Sequence, residues 1–87
     1  MTSAPVTIRV QVQLFARYEA LLGRERLDLD LPPGATLADA VARVRALPGG
    51  DALPESVLAA VNLRQAPPDT ELRQGDEVAL LPPMAGG

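Results

Sequence analysis

At 87 residues and a net charge of −3, the chain can bury one small core and little more. It contains no Cys, His or Trp, and its eight basic residues are all Arg, so thiol nucleophiles, zinc–thiolate and imidazole sites, Ser–His triads and Schiff-base lysines are excluded. Residues 1–50 carry six Arg against five acids (+1) and residues 51–87 two Arg against six (−4), an acidic half that argues against nucleic acid and anionic membranes; most of these charges read as solvated surface, and a partner of this half, if it has one, should be basic.

Phe15 and Tyr18 are the only aromatic residues, so there is no stacking platform for single strands and the core must be built from Val, Leu, Ile and Ala. Carboxylates, Arg, one Tyr and a few hydroxyls remain. A carboxylate pair needs a cleft that a chain of this size can hardly enclose, so no enzyme acting alone is expected. Met1-Thr2-Ser3-Ala4-Pro5 lacks the basic and apolar regions of a signal peptide, and no apolar run approaches the length of a membrane span. A soluble cytoplasmic protein is the expectation.

Val6, Ile8, Val10, Val12 and Leu14 alternate with Thr7, Arg9, Gln11 and Gln13, the period of a half-buried strand. From Phe15 the period changes, with Phe15, Tyr18 and Leu22 on one helical side and Gly23 as the stop. Leu27, Leu29 and Leu31 alternate with Arg26, Asp28 and Asp30 in a second strand, ended by Pro32-Pro33-Gly34. Thr36 then reads as a helix N-cap, with Asp39 in capping-box position and Arg43 four residues beyond Asp39. Leu37, Ala40, Val41, Val44 and Leu47 form the apolar stripe, and Pro48-Gly49-Gly50 ends the helix. Val57 to Asn62 reads as a short buried strand, Pro67-Pro68-Asp69 breaks the chain, Gln74-Gly75-Asp76 is a turn, and Glu77 to Leu81 is the last strand. Two strands, one main helix and two strands predict an α+β domain with the helix covering one face of a mixed sheet.

The chain closes on Leu80-Leu81-Pro82-Pro83-Met84-Ala85-Gly86-Gly87. The prolines stop the strand, because they fix φ and cannot donate to a ladder. Gly usage of about 7% makes a terminal Gly-Gly roughly a 0.5% coincidence, and the apolar residues before it want a surface to dock on. An end without Cβ atoms is narrow enough to thread a slot and bring its carboxylate to another protein's active site. That carboxylate is ionised at neutral pH and becomes electrophilic only when a partner converts it to a mixed anhydride.

Val57-Leu58-Ala59-Ala60-Val61-Asn62, Gly75-Asp76-Glu77-Val78-Ala79-Leu80-Leu81 and the tail, with the first strand running into Leu14-Phe15-Ala16-Arg17, closely resemble the small sulfur-carrier subunits of molybdopterin synthase. The resemblance covers nearly the whole chain, and its C-terminal third is the specific part. It implies a ubiquitin-like β-grasp fold, with four to five strands packed on one main helix. Residues 1–87 would form a single domain, and 82–87 its flexible tail. It further implies that an ATP-dependent adenylating enzyme activates Gly87 and that a sulfur donor converts it to a thiocarboxylate. The synthase large subunit would then take the tail and pass the sulfur to cyclic pyranopterin monophosphate, within a heterotetramer. On this reading no cofactor is bound by the carrier itself, ATP being used by the activating partner. Gly87 would carry the sulfur and Gly86 give the slim approach. Pro82, Pro83, Met84 and Ala85 would line the tail in the partner, with Phe15 and Leu81 as apolar docking contacts that strand position also suits to the core. Arg17 and Tyr18 read as structural, and Pro67-Pro68 stands where relatives often carry strand residues, which predicts a looser loop.

Related Gly-Gly carriers for thiamine, for tRNA thiolation or for protein modification fit the same tail, although the proline pair favours the molybdopterin branch. Without Lys the chain cannot build lysine-linked chains on itself. A β-grasp binding module whose Gly-Gly is incidental is the alternative of a different class.

Overall fold

The computed structural model describes residues 7–54 and 57–81. The elements follow as β1 (Ile8–Leu14), α1 (Arg17–Leu22), β2 (Arg26–Leu31), α2 (Leu37–Arg45), a 3-10 turn (Gly50–Ala52), β3 (Leu58–Val61), β4 (Arg64–Gln65) and β5 (Glu77–Leu81). The expected strands and main helix are present within a residue or two. Val6 and Ser56, at the margins of two expected segments, lie outside the described residues.

The sheet order is β2-β1-β5-β3-β4. β1 pairs antiparallel with β2 and parallel with β5, and β3 pairs antiparallel with both β5 and β4. With α2 across one face this is the expected ubiquitin-like β-grasp arrangement. The last strand in sequence is thereby the central strand of the sheet.

Alternation decides which face each side chain serves. Val10, Val12 and Leu14 of β1, Leu27, Leu29 and Leu31 of β2, Ala59 of β3 and Val78 and Leu80 of β5 all turn into one core. Leu37, Ala40 and Val44 of α2 close it from above, with Val41 and Leu47 half-buried at its margin. Truncating any of the fully buried Leu residues to Ala costs about 2–5 kcal/mol in such a setting.

The capping box at α2 is formed: Asp39 N–H donates to Thr36 Oγ1 at 3.3 Å, and Asp39 Oδ2 accepts from Thr36 N–H at 2.8 Å. The Asp39 carboxylate is thus turned back to the cap, and the spacing to Arg43 produces no ion pair. The next free donors of the helix are met by the segment after Pro67. Leu37 N–H donates to the Thr70 carbonyl at 2.8 Å and Ala38 N–H to the Pro68 carbonyl at 2.9 Å, while Leu72 N–H returns to the Ala35 carbonyl at 2.8 Å. The Pro67-Pro68 stretch is therefore not the looser loop its composition predicts. A proline carbonyl still accepts, and here it satisfies a helix terminus.

β4 is a two-residue polar strand, joined to β3 by Asn62 and Leu63. α1 ends at Gly23, whose left-handed conformation lets its N–H reach the Glu19 carbonyl at 2.9 Å. The turn after α2 packs close against α1: a Cβ on Gly49 would stand 2.1 Å from the Leu21 carbonyl oxygen.

Tyr18 is fully buried, in agreement with a structural role, and its hydroxyl finds no hydrogen-bond partner among the described residues. An orphaned buried hydroxyl is a net cost. Tyr18→Phe is expected to keep or raise stability, by up to about 1 kcal/mol, whereas Tyr18→Ala loses about 3–5 kcal/mol. Chemical denaturation checks both, and a Phe variant less stable by more than about 1 kcal/mol would show that the hydroxyl is satisfied.

Arg9 and Asp30, partners across β1 and β2, form an exposed ion pair at 2.9 Å. The hydrogen bond from Arg9, followed by its charge, holds the Asp30 carboxyl below its ordinary value. A depressed folded value stabilises fully above the unfolded value of about 3.9 and is lost as pH falls through the folded one. The stability difference between the wild type and Asp30→Asn should therefore be small but constant from pH 5 to 8 and close below about pH 4. A gap that widens on acidification contradicts the assignment.

Candidate functional site

The tail residues Pro82, Pro83, Met84, Ala85, Gly86 and Gly87 lie outside the described residues, so the site is built from what surrounds their point of departure. That point is Leu81, the last residue of β5. Leu81 pairs with Leu58 of β3, and one residue earlier Leu80 pairs with Leu14 of β1 on its other side. Continuing β1 by one residue places Phe15 beside Leu81. The tail therefore leaves from between two strand ends, each bearing a large apolar side chain.

Since Leu80, Leu14 and Ala59 turn into the core, their neighbours Leu81, Phe15 and Leu58 fall on the open face. Phe15 is 42% and Leu58 39% exposed, while Leu81 is half-buried between its neighbours. Phe15 and Leu81, which strand position favoured as partly core, thus stand at the surface in part, Phe15 exposed and Leu81 half-buried. Leu58 was legible only as part of a buried strand. Its signal was available in register, because a residue opposite Leu81 must share Leu81's face.

Phe15 is held at this corner by the chain reversal that follows it. Ala16 has φ +52 and caps α1, and the Tyr18 N–H donates to the Phe15 carbonyl at 3.0 Å. Arg17 opens α1 at the surface.

Away from the tail the open face becomes polar, in cross-strand rows. Ala79 and Ala60 pair next to the apolar row, with Gln13 and Arg26 on the β1 side. Beyond them Asp28, Gln11 and Glu77 stand in register across β2, β1 and β5, followed by the Asp30–Arg9 pair. The acidic character of the C-terminal half reaches this face through Glu77 alone; Asp28 and Asp30 come from the first half.

An apolar groove of 390 Å³ between α2 and β3 is lined by Leu37, Val41, Val57, Leu58, Ala66 and Pro68 among others. Its one charged lining residue, Arg45, donates to the Leu53 carbonyl at 3.0 Å and to the Pro54 carbonyl. Its described lining offers packing rather than chemistry. Among the described residues no three His, Cys, Asp or Glu side chains gather as a metal-binding group, and no helix is long and apolar enough to cross a membrane.

Comparison with known proteins agrees with this geometry. The ThiS family model matches residues 12–87. The molybdopterin synthase sulfur carrier subunit of Chlamydomonas reinhardtii is 32% identical over 83 residues, covering 92% of this chain and all of the relative. Among solved structures, small archaeal modifier protein 1 of Haloferax volcanii superimposes with a TM-score of 0.79 at 27% identity, covering 88% of this chain and 99% of the other. A Pyrococcus furiosus protein assigned as subunit 1 of a molybdopterin converting factor gives 0.78 at 30% identity with the same coverage. The family match takes in the end of β1, all of β3 and β5 and the tail residues, and the chain belongs to the ThiS family of ubiquitin-like sulfur carriers.

Proposed function

We propose that this chain is the sulfur-carrying subunit of a molybdopterin synthase, with its cargo on the C-terminal carboxylate of Gly87. One observation carries the reading furthest: the Pro-Pro-Met-Ala-Gly-Gly end follows directly on the central strand β5, at a root flanked by the exposed Phe15 and Leu58. The 32% identity to a molybdopterin synthase sulfur carrier subunit supports the choice of pathway.

The chemistry needs no side chain of the carrier. A Gly87 carboxylate oxygen attacks the α-phosphorus of ATP on an adenylating enzyme, giving an acyl-adenylate and releasing pyrophosphate. A sulfur nucleophile at the oxidation level of sulfide displaces AMP, so the acyl carbon keeps one oxygen and gains one sulfur. On the large subunit the thiocarboxylate sulfur attacks an oxygen-bearing carbon of cyclic pyranopterin monophosphate, and the C–O bond at that carbon breaks, its oxygen leaving on the phosphate or, protonated, as water. Water then cleaves the acyl–sulfur bond and restores the carboxylate, with no change in oxidation state. Gly86 and Ala85 keep the approach narrow, and Pro82, Pro83 and Met84 line the entry. The large subunit docks on Phe15, Leu58 and Leu81, and a heterotetramer holds two tails in two active sites.

A second reading is favoured by the likeness to a small archaeal modifier protein. There an amine of another protein would attack the same acyl-adenylate, giving an isopeptide instead of a thiocarboxylate. Both readings share the activation step and part at the nucleophile.

Incubated with ATP, the cognate adenylating enzyme and a sulfur donor, the chain should gain the mass difference between one sulfur and one oxygen, localised to Gly87. Deleting Gly87 should leave the melting curve unchanged and abolish the gain. A mass unchanged in the wild type contradicts the carrier reading, and isopeptides on other proteins in its place favour the modifier. Phe15→Asp combined with Leu58→Asp should weaken binding to the large subunit by about tenfold or more without loss of fold, since both side chains are exposed. Calorimetric titration checks this, and unchanged affinity removes the docking assignment.

A further inference from the structure

Leu63 departs from expectation in two independent ways. It is 95% exposed, far more than Phe15, Leu58 or Leu21, the other exposed large apolar residues among the described residues. It also has φ +72, in the left-handed region that a branched side chain enters only at a cost. With Asn62 at φ +50 it forms the two-residue connection between β3 and β4, closed by the Val61–Arg64 pair. Two positive φ values in such a turn favour Asn-Gly. The first position obeys that rule and the second does not.

Asn62 is repaid for its conformation. Its backbone N–H donates to the Glu77 carbonyl at 2.8 Å, its Oδ1 accepts from the Glu77 N–H at 3.0 Å, and its Nδ2 donates to Asp76 Oδ1 at 3.0 Å. The other Asp76 oxygen accepts from the Arg73 N–H at 2.8 Å. The hairpin tip is thus clamped to the turn before β5. Leu63 gains nothing comparable, and Gly would suit the fold better.

The surroundings of the tip indicate what it fits. Arg64 follows Leu63 directly, and the shared Asp76 carboxylate, which accepts from the Arg73 backbone N–H, brings the Arg73 backbone to the same corner. Both are exposed, and neither forms an ion pair among the described residues. They are the only two cations in residues 51–87. Glu77 also lies near, but it belongs to the row on the open face. An apolar knob with the exposed Arg64 next to it complements an apolar pocket with a carboxylate at its rim.

We propose that Leu63 is the anchor by which the adenylating enzyme recognises the folded body of the carrier. The inference rests on the carrier reading above. The Gly-Gly pair is common to several carriers, so the activating enzyme must discriminate by the residues before it and by the body. The tip stands at the far end of β3 from the tail root, beyond the three strand steps, about 10 Å, that separate Leu58 from Val61. An enzyme gripping Leu63 therefore leaves Leu81 free to feed the tail into its active site, within one interface of ordinary size.

The test uses the full-length chain, with the purified cognate adenylating enzyme and large subunit as the probes. Leu63→Gly should melt no lower than the wild type, raise the KM for carrier in ATP–pyrophosphate exchange by about tenfold and leave kcat unchanged. Arg64→Glu should also raise KM and flatten its dependence on salt. Affinity for the large subunit should not change in either variant. An unchanged KM for Leu63→Gly overturns the proposal and leaves the carrier reading intact. A loss confined to large-subunit binding also overturns it, and failure of the wild type to be adenylated overturns both.

Discussion

Val78 and Leu80 of β5 pair on one side with Val12 and Leu14 and on the other with Val61 and Ala59, and the rest of the structure depends on that double pairing. A strand held from both sides, with one face sealed in the core, is the hardest part of a sheet to open locally. The tail is attached to it. The root of the proposed reactive end therefore stays fixed, which keeps Phe15 and Leu58 at a constant position relative to Leu81. The parallel pairing with β1 is what brings Phe15, distant in sequence, to the tail root. The antiparallel pairing with β3 brings Leu58 to the other side.

The body's remaining features keep this strand in place. α2 covers the core face, and its N-terminus is capped twice, by its own Thr36–Asp39 box and by carbonyls of the segment after Pro67. That segment leads to Leu72, a fully buried residue, and then to the turn from which β5 starts. The route from helix cap to tail root is thus a continuous set of backbone hydrogen bonds and buried side chains. The open face has a different task, with its apolar row beside the tail and its charged rows farther away.

Much of this was legible in the residues. The alternation in β1 and β2, the capping box and the Pro-Gly-Gly stop are local signals, and the structure follows them. The Gly-Gly end with its proline pair likewise points to the family. Other features were hidden because their causes are not local. β4 has two residues, both polar and exposed, too few to show a period. Leu58 looked buried because periodicity in a four-residue strand cannot tell one face from the other without its partner's register. Pro67 and Pro68 looked like a breaker because the sequence shows their missing donors and not where their carbonyls point. The left-handed Asn62–Leu63 turn lacked the Gly that normally announces it, and that absence is what makes Leu63 informative.

The chain's want of Cys, His and Lys excludes most side-chain chemistry, and the account places the reactive group on the backbone instead. The most direct test of this is a single-turnover transfer. The chain carrying a Gly87 thiocarboxylate is mixed with the large subunit and cyclic pyranopterin monophosphate, and both product and carrier are followed. The account predicts that molybdopterin forms while the carrier returns to its carboxylate, two carriers being consumed for each dithiolene. A carrier that stays thiocarboxylated beside a competent large subunit, with no molybdopterin formed, would contradict it.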